Sequence, residues 1–218
     1  NVIRDLLGKN VVRKDGDVLL EGDFPVRGDM IATGFTVLPW REKVVLYSEP
    51  TFPSQVLLVA RAESPYTPIK DSGSLEKDIH ETKAMIGKKS LLVMERTCLD
   101  PANYGLKGTG IDLRAYTRST NLNEMIPALL NKDAELTLLD VPDAILDLQK
   151  WAGKIKVLGP ISEEQQLAAA FPKSSPELRA AFNDYLRKIK ADGTYDKLVN
   201  KYYPGVRRYF PSFFARKG

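Results

Sequence analysis

Hydrophobic residues in this chain gather in short runs separated by longer stretches in which apolar positions recur at helical spacing. Residues 30–37 (MIATGFTV), 55–61 (QVLLVAR), 90–94 (SLLVM), 113–117 (LRAYT), 135–139 (ELTLL) and 155–159 (IKVLG) are brief and rich in β-branched or aliphatic side chains, so each predicts a strand. Strands that alternate with helices predict an α/β fold. Helical periodicity is clearest where Leu178, Phe182, Tyr185, Leu186 and Ile189 recur at steps of three and four, with Ser175 as cap candidate and Pro176 in the first turn. Asp192-Gly193 predicts the stop, because glycine accepts the left-handed conformation that ends a helix. Thr194 is expected to cap the next helix, which carries Leu198, Val199 and Tyr202.

Composition sets outer limits. A chain of 218 residues with 43% hydrophobic content can bury the cores of one or two small domains. No run approaches the roughly 20 apolar residues of a membrane span, and no charged-then-apolar signal opens the chain. It begins at Asn1 without Met, so removal of a leader or an upstream piece is expected. The formal charge of +4, from 32 basic against 28 acidic side chains, reads as a small excess spread along the chain and implies no nucleic-acid partner. Cys98 is the single cysteine, so an intrachain disulfide is impossible and cysteine usage is silent on compartment.

Residues 28–52, GDMIATGFTVLPWREKVVLYSEPTF, place Thr36 and Arg41 at the end of an apolar strand ahead of a Ser-Glu-Pro segment. A planar guanidinium offers two parallel donors that match a carboxylate, and a hydroxyl adds a third donor without charge. The stretch resembles the signature of family 3 periplasmic solute-binding proteins. Asp29, Gly34, Thr36, Arg41, Tyr47, Ser48, Pro50 and Phe52 fall on that pattern, while Trp40 stands where an acidic or polar residue is usual and Tyr47 where Phe is usual. Residues 175–205 are similar to the family's C-terminal helical block, above all in Ala-Asp-Gly-Thr-Tyr at 191–195. Together the two motifs extend the resemblance over residues 29–204.

The resemblance implies a type II periplasmic-binding-protein clamp of two α/β lobes, each a sheet flanked by helices, with a ligand in the interlobe cleft. Lobe 1 would comprise 1–53 plus 165–218 and lobe 2 would comprise 54–164, with crossings near 52–55 and 163–167. It further implies a site of Gly34, Thr36, Arg41 and Phe52 from lobe 1 and Arg96, Thr97, Cys98 and Asp140 from lobe 2. In open α/β sheets ligands gather beyond the carboxyl ends of strands, which draws attention to the turn 95–98 and to Asp140. Thr97 lies where relatives present hydroxyls and backbone N–H groups to a ligand carboxylate. Arg96 replaces a usual glycine, either blocking the turn or adding a cation for a more acidic ligand. Cys98 either touches ligand or packs as a small apolar residue. Asp140 either receives a ligand ammonium or caps the helix carrying Ile145, Leu148 and Trp151, or does both. Phe24, Trp40 and Tyr104 are further wall candidates, with Phe52 the favoured one. The 28 residues before Asp29 lack the opening strand of relatives, so an omitted upstream portion, a trimmed lobe and elements from another chain are all open.

Nothing predicts catalysis, a metal or a cofactor. His80 is the single histidine, in the polar stretch DIHETK, and supports neither a zinc motif nor a Ser-His pair. Gly105, Gly108 and Gly110 lack the Lys-Ser/Thr ending of a phosphate loop. The resemblance therefore implies a non-enzymatic, periplasmic or extracellular protein that binds a small carboxylate-bearing solute, an amino acid above all, for an ABC permease. The alternative is a ligand-sensing or regulatory module of a larger receptor or cell-wall enzyme, since the same clamp precedes the catalytic domain of membrane-bound lytic transglycosylases. The basic, aromatic tail KYYPGVRRYFPSFFARKG docks on a membrane or a neighbouring domain, or is an exposed end.

Overall fold

A computed structural model describes residues 2–14 and 17–215. In chain order the elements begin with α1 (Val2–Leu7), β1 (Asn10–Lys14), β2 (Asp17–Glu21), β3 (Ile31–Thr36), α2 (Pro39–Glu42), β4 (Val45–Tyr47) and β5 (Phe52–Ser54). They continue with β6 (Val56–Arg61), α3 (Leu75–Ile86), β7 (Ser90–Val93), β8 (Asp112–Ala115), α4 (Met125–Leu130), β9 (Leu136–Asp140), α5 (Val141–Lys150) and β10 (Ile155–Pro160). The last are β11 (Gln165–Pro172), α6 (Pro176–Ala191), α7 (Thr194–Tyr202), α8 (Val206–Tyr209) and α9 (Pro211–Ala215). The fold is mixed α/β, and the chain divides into two compact units, Asn1–Pro53 with Gln165–Gly218, and Ser54–Glu164.

The continuous unit is built on a five-stranded sheet of order β10-β6-β9-β7-β8, antiparallel across β10-β6-β9 and parallel across β9-β7-β8. Its central strands are hydrophobic on both faces because helices cover both sides. Leu91, Leu92 and Val93 of β7 and Leu136, Leu138 and Leu139 of β9 are buried, joined by Ile86 from α3 and Met125, Ile126 and Leu129 from α4. Helix α3 comes so close to β10 that a methyl group on Gly159 would lie 2.2 Å from Thr82 Oγ1. Glycine at 159 is therefore a packing requirement.

The other unit carries a sheet of order β3-β11-β4, with β5 also paired to β11, and a separate β1-β2 hairpin. Its core joins Ile3 and Leu6 of α1 to Ile31, Phe35, Val44, Val45 and Ala170. The central strand β11 buries Leu167, Ala168, Ala169, Ala170 and Phe171, and Phe171 meets Phe182 of α6 edge-on at 5.6 Å between ring centroids.

Several local expectations change. The β1-β2 hairpin, β4, β5 and β11 lie outside the predicted strands. The side chain of Ser175 makes no capping hydrogen bond, and Gly193, at φ +78°, occupies the N-cap of α7 with Thr194 as the first helical residue. The apolar stripe of α6 is only partly inward: Leu186 is buried, while Leu178 and Tyr185 are exposed. Residues 101–104 form a single 3₁₀ turn with Asp100 at its N-cap. His80 lies exposed on α3.

Candidate functional site

Strand β3 delivers Thr36 to the edge of the first unit's core, where it is 2% exposed. Pro39 starts the short helix α2 three residues later, and this tight turn brings Arg41 back toward the strand it has just left. Arg41 Nη1 donates to the carbonyl of Thr36 at 2.9 Å, and Tyr47 Oη donates to the same carbonyl at 2.9 Å. Arg41 is 4% exposed, and its guanidinium lies over Phe35, 4.0 Å from the ring centroid, with Trp40 at 5.1 Å. A buried cation is held in place by aromatic faces and one strand-end carbonyl. Burial pushes the Tyr47 hydroxyl up to about 12, against the pull of Arg41, so it stays a donor at ordinary pH.

Gly34 is in the left-handed region at φ +67°, where β3 and β11 slip register between Ala168 and Ala170. The bulge sits directly before Phe35 and Thr36. Ser48 is structural: it accepts from the backbone N–H of Ala169 at 3.0 Å and donates to the Glu49 carbonyl at 2.7 Å. Phe52 is turned to the C-terminal helices, 4.7 Å from Tyr203 and 6.3 Å from Phe214 between centroids. Phe24 is 37% exposed beneath Arg4, and Trp40 also receives Arg13 at 5.0 Å.

In the second unit the chain turns sharply after β7. Thr97 Oγ1 donates to the Met94 carbonyl at 2.6 Å and accepts from the Leu99 N–H at 3.0 Å, so its proton is engaged within the turn. Asp100 accepts from the backbone N–H groups of Arg96 and Ala102, both at 2.9 Å. Tyr104 Oη donates to the Cys98 carbonyl. Arg96 has φ +61°, a conformation in which a side chain is strained, and its side chain is exposed.

Asp140 ends β9 and is 7% exposed. Its Oδ1 accepts from the Asp143 N–H at 3.3 Å, capping α5, and Cys98 Sγ donates to Oδ2 at 3.8 Å. The capping role of Asp140 is thus present, and Cys98 is both buried and directed at that carboxylate. Burial first, and the neighbouring Asp143 carboxylate second, push the Asp140 carboxyl up to about 7. Burial likewise raises Asp143 and Asp147. Among the described residues no basic side chain forms an ion pair with any of these three, and no group of acidic, histidine or cysteine side chains is arranged to hold a metal.

The candidates thus fall into two clusters, Gly34, Thr36 and Arg41 in one unit and Arg96, Thr97, Cys98 and Asp140 in the other, with Phe52 engaged elsewhere. Two further participants emerge. Tyr47 shares the Thr36 carbonyl with Arg41, and its signal in the sequence was the hydroxyl at a position where relatives have Phe. Asp143 raises the proton affinity of Asp140, and its signal was the Asp-x-x-Asp spacing of 140 and 143. Two depressions of about 160 and 170 Å³ in the first unit share Asp5 and Arg27; the wall candidate Phe24 lines the smaller, and neither includes Gly34, Thr36, Arg41 or Phe52.

Comparison with known proteins gives these clusters a context. The chain is 29% identical over 182 residues to a membrane-bound lytic murein transglycosylase F of Desulfosudis oleivorans, a match covering 82% of this chain and 37% of that protein. It is 25% identical over 199 residues to the lysine/arginine/ornithine-binding periplasmic protein of Escherichia coli, covering 88% of this chain and 71% of the other. The chain therefore spans little more than a third of the transglycosylase and under three quarters of the binding protein. A crystal structure of a mutant of ArgBP from T. maritima superposes with a TM-score of 0.66 at 23% identity, covering 80% of this chain and 69% of that one, and places the fold among type II periplasmic amino-acid-binding proteins. With residues 25–205 matching the family profile, the chain belongs to the bacterial extracellular solute-binding proteins, family 3.

Proposed function

We propose that this protein binds a small carboxylate-bearing solute, an amino acid above all, using Thr36 and Arg41 for the carboxylate and Asp140 for the ammonium. The observation that carries this reading is the buried guanidinium of Arg41, steered back onto the end of β3 beside Thr36. Family membership gives that geometry a purpose, because a zwitterion needs one fixed cation and one fixed carboxylate. Arg96, Thr97 and Cys98 line the acidic half of the site in this reading, Gly34 shapes the strand end, and Phe52 contributes through the helices it packs against. The lysine/arginine/ornithine-binding relative puts basic amino acids first among ligands to try. Binding would favour one conformation of the clamp and involve no chemistry. In this reading the protein is periplasmic or extracellular and serves an ABC permease.

A second reading is favoured by the transglycosylase match: the chain is a ligand-sensing module of a larger cell-wall enzyme. Both readings share the site and differ in the ligand. A thermal-shift screen against the amino acids, small dicarboxylates and muropeptide fragments tests them, because a ligand that binds only the folded chain raises its melting temperature. The first reading predicts a shift with an amino acid, and the second a shift with a muropeptide fragment. A screen without any shift would contradict both.

A further inference from the structure

The basic, aromatic end of the chain meets that site only where Tyr203 and Phe214 pack against Phe52. The basic excess of the chain is concentrated at its C-terminal end, against the even spread expected from the totals. Residues 197–218 hold six of the 32 basic side chains and none of the 28 acidic ones, so the rest of the chain is slightly acidic. The same stretch holds Tyr202, Tyr203, Tyr209, Phe210, Phe213 and Phe214.

The structure sorts these residues into two sets. Val199, Val206 and Phe210 are buried and hold α7 and α8 to the unit, while Arg207 is engaged by Asp196 and by the ring of Phe214. Left outward on α7 are Leu198 and Tyr202, 46% and 54% exposed and one helical turn apart, beside exposed Lys197 and Lys201 at the same spacing. Lys201 Nζ sits 5.0 Å from the Tyr202 ring centroid. On α8, Arg208 is exposed and Tyr209 is 75% exposed. Ordinary surface helices turn such leucine and tyrosine side chains inward.

We propose that this helical end, residues 194–215, is a docking surface for an anionic lipid bilayer, with Leu198, Tyr202 and Tyr209 entering the interface and Lys197, Lys201 and Arg208 meeting the headgroups. Charge complementarity selects the partner. Clustered cations attract anionic lipid, and phenol rings settle at the boundary between hydrocarbon and water. A nucleic acid would reward the cations but gain little from an exposed leucine. Among the described residues no helix is long and apolar enough to cross a membrane.

Co-sedimentation of the full chain with phosphatidylcholine vesicles, with and without phosphatidylglycerol, tests this. The chain should sediment with the anionic vesicles alone and lose binding as salt rises. The double variant Lys201→Gln/Arg208→Gln should bind about 25-fold more weakly, at about fivefold per cation. Tyr202→Ser/Tyr209→Ser should weaken binding with charge unchanged, and Lys70→Gln/Lys88→Gln in the other unit should leave it intact. Equal partition into both vesicle types, no binding to either, or full binding by the Lys201/Arg208 variant would overturn the proposal. So would binding to duplex DNA that is indifferent to the tyrosine changes and has no vesicle counterpart.

Discussion

Arg41 shows how a local turn positions a buried cation. A buried guanidinium would be costly without partners, and the Pro39 turn supplies the Thr36 carbonyl and two aromatic faces before any ligand arrives. Tyr47→Phe removes the second donor to that carbonyl, so urea denaturation should register a loss of about 1 kcal/mol. Asp140 adds a pH dependence whose sign is fixed. An unfolded chain releases this proton near 3.8, whereas the folded chain keeps it up to about 7, so stability contributed by the protonated form is lost as pH rises between those values. Asp140→Asn keeps a capping oxygen and removes the charge. Its melting temperature should accordingly exceed that of the parent above about pH 7 and approach it near pH 4, as thermal denaturation across pH will show. If Asp140 receives an ammonium, affinity for amino acids should rise with pH through about 7, while plain carboxylates show no such trend. Titrations on either side of that value separate the two. The family motif around Arg41 singled it out in the sequence, but only the folded turn reveals that Thr97 donates its proton to the Met94 carbonyl.

At the scale of elements, legibility followed burial. Strands β7 and β9 are covered on both faces, so their sequences are unbroken apolar runs that stand out against polar flanks. Strand β11 escaped notice although its interior is equally buried, because Ala168, Ala169 and Ala170 carry no β-branched signal and their conformation is imposed by pairing with β3 and β4. Strands β4 and β5 are three residues each, too short for alternation to register. In α6 and α7 the periodicity was genuine, but its outward members Leu178, Tyr185, Leu198 and Tyr202 reveal a stripe wider than the contact it makes. The close approach of α3 to β10 has a direct test. Gly159→Ala should destabilise the chain by about 1–3 kcal/mol, because Thr82 and Ile69 must move to admit the methyl group. Unchanged denaturation midpoints would mean that this packing is looser than described.

At the scale of the whole molecule, the connectivity of the two units differs. Residues Ser54–Glu164 form a single continuous segment with its own core, whereas the other unit is assembled from both ends of the chain. A fragment of 54–164 should therefore unfold cooperatively in urea by itself, and a featureless transition would contradict its independence. The two-lobed reading came from motif resemblance, not from hydrophobic pattern, since periodicity identifies strands but does not say which share a sheet. The central claim remains the pairing of Arg41 with a ligand carboxylate. Isothermal titration of the amino acid found by thermal shift, and of its decarboxylated analogue, into the parent and Arg41→Ala tests it most directly. The parent should lose about a hundredfold in affinity on mutation, since an unpaired buried charge costs about 3 kcal/mol, and the analogue should bind both proteins equally weakly. Arg41→Ala binding the amino acid as tightly as the parent would contradict the account.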